Sequence, residues 1–147
     1  MSMQRVRRNR WAVVAAGLVV AMAAAGCGDD DTTSTTAPSP VTSTQTFSGS
    51  IVQSGSTGHS FTVGSTGPVT VSLTKVAPLS TMAIGVRITT WDGTNCVTSI
   101  AQNANARSGS TALTGTANSG NYCVQIYDSG NVPADWTVEY TVDVVHP

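Results

Sequence analysis

From Phe47 to the end of the chain, apolar side chains return at every second position, and no window carries the 3.6-residue period of a helix. That alternation suits a pleated strand with one dry face and one wet face. Phe47 and Ile51 alternate with Ser48 and Ser50, and Phe61 and Val63 with Ser60 and Thr62. Val69, Val71 and Leu73 alternate with Thr70, Ser72 and Thr74, while Met82, Ile84, Val86 and Ile88 oppose Gly85, Arg87 and Thr89. Tyr122, Val124 and Ile126 face away from Cys123, Gln125 and Tyr127. Val138, Tyr140, Val142 and Val144 close the series against Glu139, Thr141 and Asp143. Turn formers separate the runs, most clearly Asp92-Gly93-Thr94-Asn95 and Asp128-Ser129-Gly130-Asn131. The pattern is weakest over 97–109, where a short strand at Val97–Gln102 and a loop through Asn103–Gly109 are expected. A further strand is centred on Leu113. Seven or eight short strands with this spacing predict an all-β, antiparallel β-sandwich over residues 47–147.

The first 46 residues follow different rules. Arg5, Arg7, Arg8 and Arg10 precede an apolar run from Trp11 to Ala25, which ends on Ala23-Ala24-Ala25-Gly26-Cys27. The run is shorter than the about 20 apolar residues a spanning helix needs, and it ends on the small residues a signal peptidase requires. Small residues ending in cysteine here resemble the lipobox of bacterial lipoproteins. The resemblance implies that residues 1–26 are a signal peptide removed on maturation and that Cys27 carries a diacylglyceryl thioether, usually with an amide-linked acyl chain such as palmitate. Two or more acyl chains hold a protein on a membrane stably, where one does so only marginally. Residue 28 is glycine; by the resemblance to enterobacteria-like lipoproteins, in which an aspartate there favours inner-membrane retention, this implies the outer over the inner membrane. The stretch from Asp29 to Thr46 is rich in Asp, Ser, Thr and Pro and has too few apolar groups to offset the entropy of ordering. Residues 27–46 are therefore read as a lipidated cysteine and a disordered linker, long enough as a coil to hold a domain roughly 25 Å from the bilayer.

Charge excludes one class of partner. From Gly28 onward Lys75, Arg87 and Arg107 stand against eight acidic residues, a net charge of −5. A surface this poor in Lys and Arg cannot neutralise a phosphate track, so nucleic acid is not expected as a partner. With Cys27 assigned to lipid, Cys96 and Cys123 remain as an even pair in an exported chain, where disulfides form and persist. There is no C-x-x-C spacing, and His59 and His146 are the only histidines, so a structural bridge is favoured over redox or metal chemistry. Closing a loop of nearly thirty residues contributes about 3–4 kcal/mol in the chain-entropy model.

Four stretches carry a second resemblance: Phe47-Ser-Gly-Ser-Ile, Gly67-Pro-Val-Thr-Val-Ser-Leu-Thr, Gly120-Asn-Tyr-Cys-Val-Gln-Ile-Tyr-Asp and Trp136-Thr-Val-Glu-Tyr-Thr-Val-Asp-Val. Their strand spacing and the Gly-x-Tyr step resemble the bacterial pre-peptidase C-terminal domain, over nearly all of 46–147. The resemblance implies a jelly-roll-like β-sandwich of the kind appended to secreted proteases and other surface proteins. A leader and linker stand before it here rather than a peptidase, so roles tied to a neighbouring catalytic domain do not carry over. Related collagen-binding domains hold calcium partly through acidic linker residues, a pattern that Asp29–Asp31 do not match.

No side-chain set promises catalysis or a cofactor. In Gly58-His59-Ser60-Phe61, His59 would sit on the opposite strand face from Ser60, and a nucleophile elbow needs a helix that this pattern lacks. His146 is expected to fray with the chain end. Asp128, Asn131 and Asp135 offer oxygen atoms, but their spacing is not that of an EF-hand loop, and tight turns use the same residues for their own backbone bonds. No metal site is expected. Trp91, Tyr127 and Trp136 are candidate ligand-binding aromatics; Trp91 and Tyr127 take the outward parity of their strands and either stack on a ligand or pack around the cysteine bridge. The sequence thus predicts a non-catalytic, membrane-tethered module of the cell envelope that mediates interaction, adhesion or an accessory role with a protein or glycan partner. A carbohydrate-binding domain using the three aromatics is the alternative.

Overall fold

The computed structural model describes residues 41–147; the expected leader, Cys27 and most of the linker lie outside the described residues. Eight strands follow in order: β1 (Ser43–Ile51), β2 (Ser56–Val63), β3 (Gly67–Ala77), β4 (Ile84–Trp91), β5 (Cys96–Ala106), β6 (Ser110–Ala117), β7 (Gly120–Tyr127) and β8 (Val138–His146). They form two four-stranded sheets, ordered β1-β8-β3-β6 and β2-β7-β4-β5, with every pairing antiparallel. The chain changes sheet at each connection except the β4–β5 hairpin. This is the jelly-roll arrangement of a β-sandwich.

The alternation places the core where it was expected. Val69, Val71 and Leu73 of β3, Ile84 and Val86 of β4, Val124 and Ile126 of β7, and Val138, Tyr140, Val142 and Val144 of β8 are all buried between the sheets. On β3 the buried parity changes from Leu73 to Val76, and the ladder with β8 shifts register between Leu73 and Lys75. That bulge lets both parities of one strand serve the same core.

Three boundaries differ from the sequence reading. β1 begins at Ser43, four residues inside the expected linker, because Ser43–Thr46 pair with Asp143–His146 of β8 and Thr46 Oγ1 donates to Asp143 Oδ1 at 2.7 Å. These residues bury no side chain, so no alternation marks them. β5 runs unbroken from Cys96 to Ala106 where a strand and then a loop were expected. It is the outer strand of its sheet and is largely exposed on both faces, which removes the period-two signal. His146, expected to fray, is 3% exposed: it takes the next inward position of β8, its ring packs 5.3 Å from that of Phe61, and Gly64 N donates to the Pro147 carbonyl at 2.9 Å.

β5 and β6 are the outer strands of their sheets on one side of the sandwich, and neither carries a charged residue. Val97 and Ile100 of β5 are each 56% exposed.

Gly49 faces Tyr140 across the β1–β8 pairing, and a Cβ there would lie 2.6 Å from the Tyr140 hydroxyl and 2.9 Å from its ring carbon Cζ. Tyr140 is 1% exposed and cannot swing aside. Gly49→Ala should therefore cost about 1–3 kcal/mol, as overpacking does. Gly115→Ala, on the open outer strand with nothing within 4 Å of its Cβ, should be neutral or stabilising by up to about 1 kcal/mol. Urea denaturation of the two variants checks the contrast.

Candidate functional site

Cys96 and Cys123 form a disulfide with Cα atoms 5.6 Å apart. Their strands are not neighbours: β4 lies between β7 and β5 in the sheet. Two strand spacings amount to about 10 Å, so this approach requires the end of the β4–β5 hairpin to leave the plane of its sheet. The ladder does so through register shifts between Ile88 and Thr89 and between Thr89 and Trp91. The folded-over hairpin end buries Thr89, which takes outward parity yet is only 2% exposed and donates through Oγ1 to the Cys123 carbonyl at 3.4 Å. The bridge reaches across to β2. A Cβ on Gly58 would collide with Cys96 Sγ and lie 3.0 Å from Cys123 Sγ, so only glycine leaves room for it. At the tip, Asp92 Oδ1 accepts from the backbone N–H groups of Thr94 and Asn95, and Gly93 has φ 101°.

This displacement builds a pocket of about 290 Å³ around Trp91. Trp91, paired with Cys96 across the hairpin, forms one wall with Gly93. Ser60 and Thr62 of β2 and Asn121 of β7 form a second wall, Gln45 of β1 contributes from the other sheet, and buried Phe61 completes the lining. Trp91 is half-buried, while Gln45, Ser60, Thr62 and Asn121 are exposed. Thr62 Oγ1 donates to Asn121 Oδ1 at 2.9 Å, which fixes the amide and leaves its two N–H donors for another partner. No lining residue is charged.

The other two aromatic candidates lie elsewhere. Tyr127 is the last residue of β7, about 20 Å along the strand from Asn121 at the usual rise. Its ring lies over Gly85, where a Cβ would collide with it, and the Arg87 guanidinium sits 5.1 Å from the ring centroid. Tyr127 is thus a packing residue held by a cation–π contact. Trp136 sits on the β7–β8 connection, 41% exposed, with its backbone N–H bonded to the Pro133 carbonyl. Of the three, Trp91 alone lies beside the bridge. Neither pattern nor motif marks Gln45, Ser60, Thr62 or Asn121 in a chain this rich in Ser, Thr and Asn; the fold alone brings them together.

The remaining polar candidates are held by structural bonds. His59 points inward from β2, stacks on Phe47 with ring centroids 5.0 Å apart, and shares a 2.8 Å hydrogen bond between Nε2 and the Tyr140 hydroxyl. Ser60 lies on the other face, as expected, so the pair does not meet. Burial lowers the pKa of His59 and raises that of Tyr140. Asp128 organises the crossing into β8: Oδ1 accepts from the N–H groups of Gly130, Asn131 and Val132, and Oδ2 from that of Ser54 at 2.8 Å. Partial burial pushes its pKa up, but these four donors outweigh burial and leave it lowered. Asn131 Nδ2 donates to the Ala83 carbonyl and to Ser129 Oγ. Turn chemistry accounts for the Asp128 carboxylate and a long-range bond to Ala83 for much of the Asn131 amide, and no cluster of three or more His, Cys, Asp or Glu is present among the described residues.

A second cleft, of about 300 Å³, opens where β5 and β6 part, and it is lined mainly by Val69, Ile88, Ile100, Leu113, Ala117 and Tyr122. No protein-family model matches the chain, and a search of the curated proteins gives no match.

These environments set a pH dependence. Between the lowered pKa of folded His59 and its ordinary value of 6.5, the unfolded chain binds more protons, so stability rises with pH across that interval. Its contribution is complete above pH 6.5 and lost as pH falls through the folded value. Asp92 and Asp128, whose pKa values are lowered from 3.8 chiefly by backbone donors, add a second loss below that pH. Thermal melts should show a plateau near neutrality and two descending steps, with His59→Gln removing the first and leaving the second.

Proposed function

We propose that the chain is a lipid-anchored, extracytoplasmic interaction module rather than an enzyme, of the kind the pre-peptidase C-terminal domain exemplifies. The Cys96–Cys123 bridge is the observation that carries this reading. Such bonds persist in oxidising compartments and are rare in the cytosol, which agrees with an exported chain. The leader ending at Ala23-Ala24-Ala25-Gly26-Cys27 supplies the route and the anchor. Acylated Cys27 holds the domain at the cell envelope, and Gly28 favours the outer membrane.

A binding role fits the polar inventory. His59 is engaged by Tyr140, Asp128 by four backbone donors and Asp92 by its own turn, so these groups serve the fold. The two clefts lie in the sandwich surface, one neutral and polar around Trp91 and one apolar between β5 and β6. Partners are a protein or a glycan of the envelope or of its surroundings.

Cell fractionation tests the anchor. The native chain should sediment with membranes, and Cys27→Ser should move to the soluble extracytoplasmic fraction. A variant that stays with the membranes, or a mature chain whose mass shows an intact leader, overturns the proposal.

A further inference from the structure

We propose that the Trp91 pocket is a binding site for a neutral saccharide and that the Cys96–Cys123 bridge is the positioning element that assembles it. The inference rests on the reading of the chain as an interaction module and names the ligand class of one of its clefts.

The lining dictates the ligand. An indole offers an apolar, polarisable face, which suits a flat apolar surface. Apart from buried Phe61, the other side chains are hydroxyls and primary amides, each able to donate and to accept. Such groups match ligand hydroxyls, which have the same dual character, and the absence of charge gives a carboxylate or phosphate no counterion. A pyranose ring combines an apolar C–H face with a rim of hydroxyls, so it meets Trp91 on the face and Gln45, Ser60 and Asn121 on the rim. At about 290 Å³ the cavity lies at the small end of ligand sites, in keeping with one or two rings of a longer chain.

The bridge enters because the walls belong to different elements. Trp91 and Gly93 reach β2 and β7 only where the hairpin end has left its sheet, and the disulfide at Cys96, the cross-strand partner of Trp91, fixes that displacement. Without the bond, the hairpin end can return towards its own sheet, and the indole wall moves away from Ser60, Thr62 and Asn121. A site organised this way is complete only in an oxidised, exported chain. Gly58, which leaves room for both sulfurs, belongs to the same device.

The test is calorimetric titration of the full native chain, solubilised in detergent, with a panel of neutral oligomers of glucose, xylose and N-acetylglucosamine. At least one oligomer should bind. Trp91→Ala should weaken that binding by about tenfold or more, the loss of a central aromatic anchor. Gln45→Ala and Asn121→Ala, at exposed positions that leave the core intact, should each weaken it several-fold, and Trp136→Ala should leave it unchanged. The paired variant Cys96→Ser, Cys123→Ser should lose affinity while its far-ultraviolet circular dichroism stays that of a β-sandwich. Absence of binding across the panel, binding confined to acidic sugars, or a Trp91→Ala variant with native affinity overturns the proposal. Undiminished affinity in the folded double-serine variant overturns the role of the bridge. The titration does not depend on the anchor, and fractionation of Cys27→Ser does not depend on the sugar, so failure of one reading is distinguishable from failure of the other.

Discussion

The structure depends on one dry layer, the interdigitated side chains held between the two four-stranded sheets. β8 is its richest contributor, because Val138, Tyr140, Val142, Val144 and His146 all point inward along a single strand. Each fully buried aliphatic side chain contributes about 1.5–3 kcal/mol relative to exposure, and the polar partners of the alternation keep the outer faces wet. A chain with 10% charged residues has few ion pairs to draw upon. Lys75–Glu139, at 3.2 Å and well exposed, is the one salt bridge among the described residues, and exposed pairs contribute little. Shape and burial set the fold, with charge playing a minor part.

At the Tyr140 end of β8, polar groups enter this layer as an ordered set. Gly49 leaves space for the Tyr140 hydroxyl, which reaches His59, and His59 in turn lies on Phe47. One missing side chain on β1 therefore allows a buried phenol and a half-buried imidazole to satisfy each other, in line with the high cost of unpaired buried polar atoms. His146 Nε2 is left without a partner in the same interior. The disulfide solves a different problem on the outer surface, holding a hairpin end where sheet hydrogen bonding alone would not place it.

Much of the fold was legible in the sequence, because a buried face writes itself as alternation. The rows Val69-Val71-Leu73, Val124-Ile126 and Val138-Tyr140-Val142-Val144 needed no other information, and the cysteine pair followed from the expectation of an exported chain with Cys27 set aside. What stayed hidden has physical causes. Ser43–Thr46 and much of β5 are strand segments with no buried side, so backbone pairing defines them and side chains do not. His146 follows the parity of β8, but its position near the chain end argued for fraying, and strand pairing with Ser43 overrode that. The Trp91 pocket was half legible. The tryptophan and the bridge stood out as residue types, whereas Gln45, Ser60, Thr62 and Asn121 are unremarkable until three strands and a hairpin bring them together.

The uncharged outer strands β5 and β6 have a bearing on how copies of this chain behave when crowded. Natural sheets commonly guard such rims with lysine, proline or strong local twist; these two strands offer only the register shifts of the β4–β5 and β3–β6 ladders. Two neighbours meeting rim to rim would find no charged side chain on either strand, so only the net charge of the copies would oppose the encounter, and salt would screen it. Local concentration would govern it instead: the more copies share a given volume, the more often their open backbones come face to face.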